Sequence, residues 1–290
     1  MKNIAVFGAY GQLGQSIMNL SYDYPQYHFI FTDVDTLDIS DYNAIENFVS
    51  IFRPDIFINC AAYTAVDKAE QEKELAMQLN ALAVENLAAI ANRNRIFMIH
   101  ISTDYVFDGK GYKPYREDDK TCPVSVYGQT KRSGEEAVLS SGCRAVIVRT
   151  SWLYSEYGTN FVKTMLRLGK EREQLTVVSD QTGTPTYAHD LATAIMTIVE
   201  QNEKIHQTEI YHYSNEGVGS WYDFAIEIMR LGKRTCTITP IPTEDYPTPA
   251  LRPYYSVLSK QKIKSHFAVT IPYWKDSLEI CMKNILNPVE

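Results

Sequence analysis

Five short apolar segments with strand-like composition recur through the first 150 residues, and segments with helical periodicity separate them. Strands that alternate with helices predict a parallel sheet, because the chain needs a long crossover to return to the next parallel strand. The segments are continuously apolar, which is typical of strands that helices cover on both faces. We predict strands at 3–7, 28–32, 55–60, 96–102 and 145–149.

The chain of 290 residues is about twice the length of an ordinary domain of roughly 150 residues, so we expect a second structural unit. The predicted fold class is α/β, with a Rossmann-like doubly wound parallel sheet and a smaller mixed α/β lobe that binds substrate. We assign 1–150 and a return segment near 187–215 to the dinucleotide-binding domain, and 151–186 and 216–290 to the lobe. Within the second half we predict helices at 160–169, 189–200 and 221–231 and a strand at 175–178.

Charge and cysteine usage exclude several classes of protein. There are 28 basic and 35 acidic residues, and the net charge of -7 provides no basic surface for a nucleic acid. The five cysteines are far apart and form no C-x-x-C motif, and the six histidines are scattered, so we expect neither disulfides nor a bound metal. No apolar run reaches the roughly 20 residues that a membrane span needs. We therefore expect a cytoplasmic protein that binds neither nucleic acid nor membrane.

A glycine-rich turn follows the first predicted strand and begins a helix. Gly8, Gly11 and Gly14 recur at a spacing that allows a tight turn, close approach to a pyrophosphate and close packing on the sheet. Asp33 ends the second strand, where a carboxylate can accept hydrogen bonds from an adenosine ribose. No basic residue occurs between Gly8 and Arg53, which favours NADH over NADPH. The alternatives are a turn that binds no ligand and an aspartate that only caps a turn.

A tyrosine and a lysine four residues apart provide a candidate acid–base pair. Tyr127 and Lys131 share one face of a helix predicted to run to about residue 139, and a neighbouring cation lowers the pKa of a phenol. Thr103 stands at the carboxyl end of the fourth strand, where open α/β sheets bind their ligands. Thr103 could hold a carbonyl while Tyr127 protonates it. The alternative is that Tyr127 and Lys131 are an ordinary exposed pair on a helix.

Further motifs make the resemblance to one family specific. The glycine spacing is similar to that of the extended short-chain dehydrogenases/reductases, and the whole set of motifs resembles the dTDP-4-dehydrorhamnose reductase family. The matches run from Gly8 to Pro253 in the family's order. The motifs are Gly-Gln-Leu-Gly at 11–14, Asn-Cys-Ala-Ala-Tyr-Thr-Ala-Val-Asp-Lys-Ala-Glu at 59–70, Ser-Thr-Asp-Tyr-Val-Phe at 102–107, Thr-Ser-Trp at 150–152, Asn-Phe at 160–161, Asp-Gln-x-Gly-x-Pro-Thr at 180–186 and Arg-Pro at 252–253.

The resemblance implies an NADH- or NADPH-dependent enzyme that reduces the C4 ketone of a dTDP-sugar. It makes Tyr127 the proton donor, Lys131 its activator and a ribose contact, and Thr103 a hydrogen-bond partner of the substrate. Asp104 and Trp152 would contact the sugar, with Asn160 and Arg252 as candidates for the nucleotide end. Tyr127 and Lys131 would also contact the cofactor, together with Gly8, Gly11, Gln12, Leu13, Gly14, Asp33, Asp38, Ile39, Ala62, Tyr63 and Thr64.

Several of these residues have structural alternatives. Trp152 could be a core aromatic, Arg252 could pair with a surface acid, and we interpret His100 as a core histidine. Some members of the family bind a metal at a dimer interface through a glutamate, and Ser16 occupies that position here. We therefore predict no metal-bridged dimer, and expect a monomer or a weak homodimer.

Two other activities and one non-catalytic role compete with reduction. A 4,6-dehydratase of this superfamily has Glu after the aspartate of the strand motif, whereas here Tyr105 follows Asp104, so elimination lacks its second carboxylate. An epimerase has the same core residues and keeps its cofactor bound. A regulatory subunit of the same fold is also possible, because the fold does not fix the function.

Overall fold

The computed structural model describes residues 1–287, and within them strands and helices alternate as the sequence predicts. The strands are β1 Lys2–Phe7, β2 Tyr27–Thr32, β3 Ile56–Asn59, β4 Phe97–Thr103, β5 Ala145–Thr150, β6 Leu153–Tyr154, β7 Gln174–Val178, β8 Thr182–Gly183, β9 Thr186–Tyr187, β10 Glu209–His212, β11 Gly219–Ser220 and β12 Thr237–Ile241. The helices are α1 Gln12–Leu20, α2 Tyr42–Phe52, α3 Val66–Ala69, α4 Lys73–Met77, α5 Ala83–Asn94, α6 Val126–Ser140, α7 Phe161–Glu171, α8 Ala188–Glu200, α9 Trp221–Leu231, α10 Gln261–Phe267 and α11 Trp274–Leu286.

Six parallel strands form the central sheet, in the order β10-β5-β4-β3-β1-β2. The order reverses direction between β1 and β3, and at such a point the loops after the two strands diverge and leave a crevice at their carboxyl ends. The predicted Rossmann-like parallel sheet is confirmed. All five predicted strands lie within it, each with ends within one or two residues of those predicted.

Helices cover both faces of this sheet, which explains the continuously apolar strands. Successive residues of a strand face opposite sides, so Ile4 and Val6 pack with α1 and α8 while Ala5 and Phe7 pack with α2 and α5. Each face has its own cluster of fully buried side chains. The two clusters hold the strands rigidly, and the loops at their carboxyl ends are positioned by that rigid base.

A third hydrophobic cluster lies among α7, α9, α11, β7 and β12, and forms the interior of the second unit. Ile263 and Phe267 of α10 belong instead to the cluster on the sheet, beside α8. These two residues fall within 216–290, which the sequence assigned to the lobe, and the limits proposed for the two domains stay a prediction. The part of the chain that the structure describes contains no helix with the length and apolarity needed to cross a bilayer.

Candidate active site

One cavity of about 810 Å³ opens at the carboxyl ends of β1, β3, β4 and β5. Most of the predicted site residues line it, and only Tyr63 and Arg252 of that set lie outside its lining. The predicted residues that the structure brings together there are Gly8, Gly11, Gln12, Leu13, Gly14, Asp33, Asp38, Ile39, Ala62, Thr64, Thr103, Asp104, Tyr127, Lys131, Trp152 and Asn160.

The glycine-rich turn leaves room for a phosphate. Gly8 has a φ of +73°, and a Cβ there would lie 2.6 Å from the amide nitrogen of Ala61. A Cβ on Gly14 would lie 2.3 Å from the carbonyl oxygen of Gly8. No side chain caps the start of α1, and its first turn contains no acidic residue. The free N–H groups and the positive end of the helix dipole therefore fit a pyrophosphate.

The end expected to bind adenosine carries carboxylates. Asp33 accepts hydrogen bonds from the backbone N–H groups of Tyr10 and Val34, both at 2.8 Å, and these contacts orient its carboxylate beside the glycine turn. Asp38 lies further along the same wall. Among the described residues that line the cavity, Lys131 is the only lysine or arginine. The site thus offers adenosine a hydrogen-bond acceptor without an adjacent cation for a 2′-phosphate.

Asn80 is a buried residue of this site that the sequence analysis missed. Its side chain accepts a hydrogen bond from the N–H of Tyr63 at 2.8 Å and donates to the carbonyl of Tyr63 at 3.0 Å. It also donates to Thr130 Oγ1 on α6 at 3.1 Å. Asn80 therefore fixes the loop that contains Ala62 and Thr64 against the helix of the tyrosine–lysine pair. No signal in the sequence separates this asparagine from an ordinary helix residue.

Tyr127 and Lys131 lie in the first two turns of α6. Ser125 caps this helix, accepting a hydrogen bond from the N–H of Gly128 at 3.2 Å. Tyr127 is half-buried, whereas Lys131 is only 2% exposed and its Nζ donates to the carbonyl oxygen of Ile101 at 2.6 Å. An ordinary surface pair would leave the lysine in water. The burial of Lys131 inside the cavity wall therefore indicates a functional pair.

Burial dominates the protonation of both groups. It raises the pKa of Tyr127 to about 12, an effect that a hydrogen bond with Thr103 opposes and the charge of Asp104 increases. Burial also lowers the pKa of Lys131 to about 8, an effect that the charge of Glu135 opposes. The spacing of Tyr127 and Lys131 predicted that the lysine would lower the pKa of the phenol. Loss of hydration is the largest effect on both groups here, although Tyr127 is only half-buried and Lys131 is almost completely buried.

Asp104 is a second unusual acid of the cavity. Burial raises its pKa to about 6, and hydrogen bonds with Ser256 and Thr103 oppose this effect. Its Oδ2 is buried and makes no hydrogen bond within the described part of the chain. A buried oxygen without a partner is costly, and a sugar hydroxyl would satisfy it.

Behind the lysine lies a buried ion pair that the sequence analysis did not predict. Arg149 of β5 donates to both carboxylate oxygens of Glu135, at 2.8 and 2.7 Å, and Ser102 donates to the same carboxylate at 2.6 Å. The fork geometry neutralises the glutamate in an otherwise dry region. Two features of the sequence could have indicated this ion pair. Glu135 follows Lys131 by four residues on the same helix, and Arg149 is a charged residue within an apolar strand.

Two of the remaining predicted residues make contacts that define the cavity's far wall. Trp152 has a φ of +49°, and its ring stacks on Trp221, which also lines the cavity. Asn160 caps α7, accepting from the N–H of Lys163 at 3.1 Å, and its Nδ2 donates to Gln12 Oε1 at 2.9 Å. Asn160 thus lies against the phosphate loop. Trp221 was predicted only as the start of a helix.

Arg252 forms an ion pair outside the cavity lining. Its two terminal nitrogens donate to the two carboxylate oxygens of Asp67, at 3.0 and 2.8 Å. The pKa of Asp67 is held below its usual value, chiefly by this hydrogen-bonded contact. The alternative that Arg252 pairs with an acidic side chain is therefore observed, and the acid is Asp67. The side chain of Arg252 remains about one-quarter exposed.

The parallel sheet, the glycine turn and the tyrosine–lysine helix around one cavity define the class: a Rossmann-fold oxidoreductase of the dehydrogenase/reductase type. A sequence model described as "RmlD substrate binding domain" matches residues 1–287. The dTDP-4-dehydrorhamnose reductase of Aggregatibacter actinomycetemcomitans is 40% identical, and the alignment covers 96% of this chain and 98% of that protein. The chain belongs to the dTDP-4-dehydrorhamnose reductase family, so the resemblance predicted from the sequence is confirmed.

Solved structures give the same result. The dTDP-4-dehydrorhamnose reductase of Clostridium acetobutylicum is 41% identical and superimposes with a TM-score of 0.93, covering 98% of this chain and 99% of that one. The dTDP-4-dehydrorhamnose reductase of Bacillus anthracis, solved in complex with NADP, is 38% identical and superimposes with a TM-score of 0.92. The match covers 97% of this chain and 99% of that one. The NADP complex is a property of that relative, and it agrees with a site built for a dinucleotide.

Proposed function

We propose that this protein transfers a hydride from NADH or NADPH to C4 of dTDP-4-dehydro-β-L-rhamnose and so forms dTDP-L-rhamnose. The observation that carries the proposal is the single cavity in which Thr103, Tyr127 and Lys131 face the glycine turn. Membership of the reductase family supports the substrate. The reduced nicotinamide supplies the hydride, and the residues of the protein position the ketone and deliver the proton.

The proposed catalytic roles follow from the contacts. Thr103 and Tyr127 both line the cavity, and the Thr103 hydroxyl donates to Asp104 Oδ1 at 3.0 Å, so a bound carbonyl oxygen would accept from Tyr127 and, once Thr103 leaves Asp104, from Thr103 as well. Tyr127 keeps its proton at neutral pH because burial raises its pKa to about 12, which makes it a donor in the resting site. When the hydride adds to the carbonyl carbon, the proton of Tyr127 passes to the oxygen. Lys131 stabilises the resulting phenolate and binds the cofactor ribose.

The proposed binding roles divide between the two ends of the cavity. The glycine turn and the carboxylates of Asp33 and Asp38 bind the dinucleotide. Asp104, with its unpartnered oxygen, and Trp152 bind the sugar. Arg252 would leave Asp67 to bind the diphosphate of the nucleotide, since a guanidinium fork matches phosphate oxygens.

The experiment measures the stoichiometry of cofactor oxidation with the purified protein. One sample contains dTDP-glucose, and another contains dTDP-4-dehydrorhamnose with NADH. We expect one mole of oxidised cofactor for each mole of product, in the second sample only. Conversion of dTDP-glucose to a 4-keto sugar without net cofactor consumption would indicate a dehydratase. Turnover with no net cofactor oxidation in the second sample would indicate an epimerase. If the folded protein turns over neither substrate, it would be a regulatory subunit.

The assembly and location are also proposals. We propose a monomer or weak homodimer that acts in the cytoplasm, where the nicotinamide cofactors circulate. Ser16 is buried and its hydroxyl donates to the carbonyl oxygen of Gln12 at 2.9 Å, so it is not available as a metal ligand. Sedimentation velocity with and without a chelator tests this: a stable, metal-dependent dimer would contradict it.

A further inference from the structure

Two fully buried histidines each lie beside the side chain of a basic residue, but with opposite hydrogen-bonding environments. His212 of β10 has its Nδ1 3.1 Å from the carbonyl oxygen of Tyr115 and its Nε2 3.4 Å from Nη1 of Arg149. A carbonyl oxygen can only accept, so Nδ1 of His212 carries the proton. Its Nε2 then accepts from the guanidinium. The ring of His212 therefore suits the positive charge beside it.

His100 of β4 has the reverse arrangement. Its Nδ1 lies 3.2 Å from Nδ2 of Asn59, and the amide of Asn59 is oriented by the backbone N–H of Ala61, which donates to Oδ1 at 3.1 Å. The group that faces Nδ1 is therefore a donor, so Nδ1 accepts. Burial is the largest effect on His100 and keeps its pKa well below the usual value, so the ring is neutral. Its single proton must lie on Nε2.

Nε2 of His100 is 3.5 Å from Nζ of Lys131. An ammonium group has no lone pair, so a protonated Lys131 and the N–H of His100 would oppose one another. An uncharged amine can accept that N–H and still donate to the carbonyl oxygen of Ile101 at 2.6 Å. The geometry therefore gives both ring nitrogens of His100 a suitable partner when Lys131 is an amine.

The other titratable groups around Lys131 do not reverse this preference. Glu135 raises the pKa of Lys131, but burial outweighs it, and both oxygens of its carboxylate accept hydrogen bonds from Arg149 in the fork described above. Burial raises the pKa of the Cys60 thiol to about 12, so that group is neutral. Tyr127, one turn away on α6, is neutral at physiological pH for the same reason. Loss of hydration and the ring of His100 thus act in the same direction.

We propose that Asn59 fixes His100 in the tautomer with its proton on Nε2, and that this ring stabilises the uncharged amine of Lys131. His100 is then a positioning residue, which acts on the reaction only through Lys131. The consequence for turnover rests on the proposed function, in which the ammonium form supports proton delivery by Tyr127. The pKa of about 8 for Lys131 places its change of charge close to neutral pH. A small change at His100 would therefore move the pH range of activity.

The tautomer can be measured in the wild-type protein. Long-range proton–nitrogen NMR spectra distinguish the two neutral tautomers by the nitrogen shifts of the ring, and the His100 signals are those lost in His100→Leu. We expect the proton of His100 on Nε2 and that of His212 on Nδ1. A proton on Nδ1 of His100 would overturn the proposal, whatever the activity of the protein.

The effect on Lys131 is tested with His100→Leu, which removes the opposing N–H and keeps an apolar side chain in the core. We expect the alkaline limb of kcat/KM to move up by about 0.5 to 1 pH unit, the equivalent of one hydrogen bond. His212→Leu is the matched control: it removes the other buried histidine without contact to Lys131, and the limb should not move. An unchanged limb in His100→Leu, or an equal shift in both variants, contradicts the proposal.

A direct titration separates failure of this inference from failure of the proposed function. The side-chain carbon resonance of Lys131, assigned by its loss in Lys131→Met, should titrate at a higher pH in His100→Leu than in the wild type. This measurement needs no substrate. If no substrate is turned over but the Lys131 titration shifts as expected, only the proposed function fails. If turnover is normal but neither the titration nor the limb shifts, only the role of His100 fails.

Discussion

The indole rings of Trp152 and Trp221 lie face to face, with their centroids 3.7 Å apart and their planes 11° from parallel. Trp152 has left-handed backbone geometry, which costs a residue other than glycine roughly 1 kcal/mol or more. Gly183 also packs against this indole, and a Cβ there would stand 2.7 Å from it. The stack therefore holds one orientation of Trp152 against the proposed sugar site, despite the backbone strain.

Trp221→Leu removes the platform beneath Trp152 without touching the tyrosine–lysine pair. We expect KM for the sugar nucleotide to rise about three- to tenfold while kcat changes little, because uniform binding is lost. Steady-state kinetics at saturating cofactor measure both constants. Tyr222→Leu, on the same turn of α9 but outside the cavity, is the control and should leave KM unchanged. An unaltered KM in Trp221→Leu would mean that Trp152 does not need the stack.

Tyr127→Phe removes only the ionisable hydroxyl and keeps the packing of the ring, including its edge-to-face contact with Tyr105. We expect kcat to fall by about 10² to 10⁴ with cofactor affinity little changed, since a general acid is worth that much. Tyr154→Phe is a matched control, because Tyr154 is buried and its hydroxyl has no partner among the described residues. Activity of Tyr127→Phe within a few fold of the wild type would remove Tyr127 as the proton donor.

Asp33 and the lack of a neighbouring cation make a prediction about coenzyme choice. A carboxylate close to a 2′-phosphate is unfavourable, so we expect activity with both cofactors and a kcat/KM for NADH equal to or above that for NADPH. Asp33→Ser should shift the ratio toward NADPH, because it removes the like charge. A wild-type preference for NADPH above about tenfold would contradict the role assigned to Asp33.

Acid should unfold the protein partly through its buried histidines. The folded-state pKa of His212 is lowered to about 3, chiefly by burial, and that of His100 is also low, so unfolding takes up two protons below pH 6.5. Asp104 has the opposite sign: its raised folded pKa of about 6 lets the native state bind one proton between pH 6 and 3.8. These three groups together cost no stability above pH 6.5, and below pH 6 the unfolded state binds one net proton more than the native state.

We expect the free energy of unfolding to fall by about 1.4 kcal/mol for each pH unit between pH 6 and 4. Urea unfolding at several pH values measures it. In His212→Leu the proton taken up by His100 on unfolding is balanced by the proton that Asp104 releases. The stability of this variant should therefore be nearly independent of pH over that range, although lower than that of the wild type at pH 7.5. A slope in His212→Leu equal to that of the wild type would contradict the assignment.

The central sheet could be predicted because its strands are covered on both faces, which leaves continuous apolar runs such as Ile56–Asn59 in the sequence. The outer strand β10 was missed: only Ile210 and Tyr211 of its four residues are apolar, and tertiary pairing with β5 decides its structure. Residues whose chemistry needs a fixed spacing, such as Tyr127 and Lys131, were also found.

The residues that control protonation in the site could not be found in this way. Whether His100 carries its proton on one nitrogen or the other depends on the side-chain amide of Asn59, which lies 41 residues away in the chain. Burial likewise decided the pKa of Tyr127, against the expectation from its neighbour Lys131. Helical spacing shows which groups are close, but loss of hydration depends on everything that packs around them.

Gln12 joins the start of α1 to the segment 153–160 through three hydrogen bonds: Oε1 accepts from Asn160 and Ser155, and Nε2 donates to the carbonyl oxygen of Leu153. A chimera made by exchanging the first 150 residues between relatives would separate this glutamine from all three partners. The glycine turn and the segment 153–160 could each fold correctly in such a chimera and still lack the hydrogen bonds that join them. Recombination that produces new sugar specificities in this fold should therefore succeed more often when 153–160 moves together with the loop that contains Gln12.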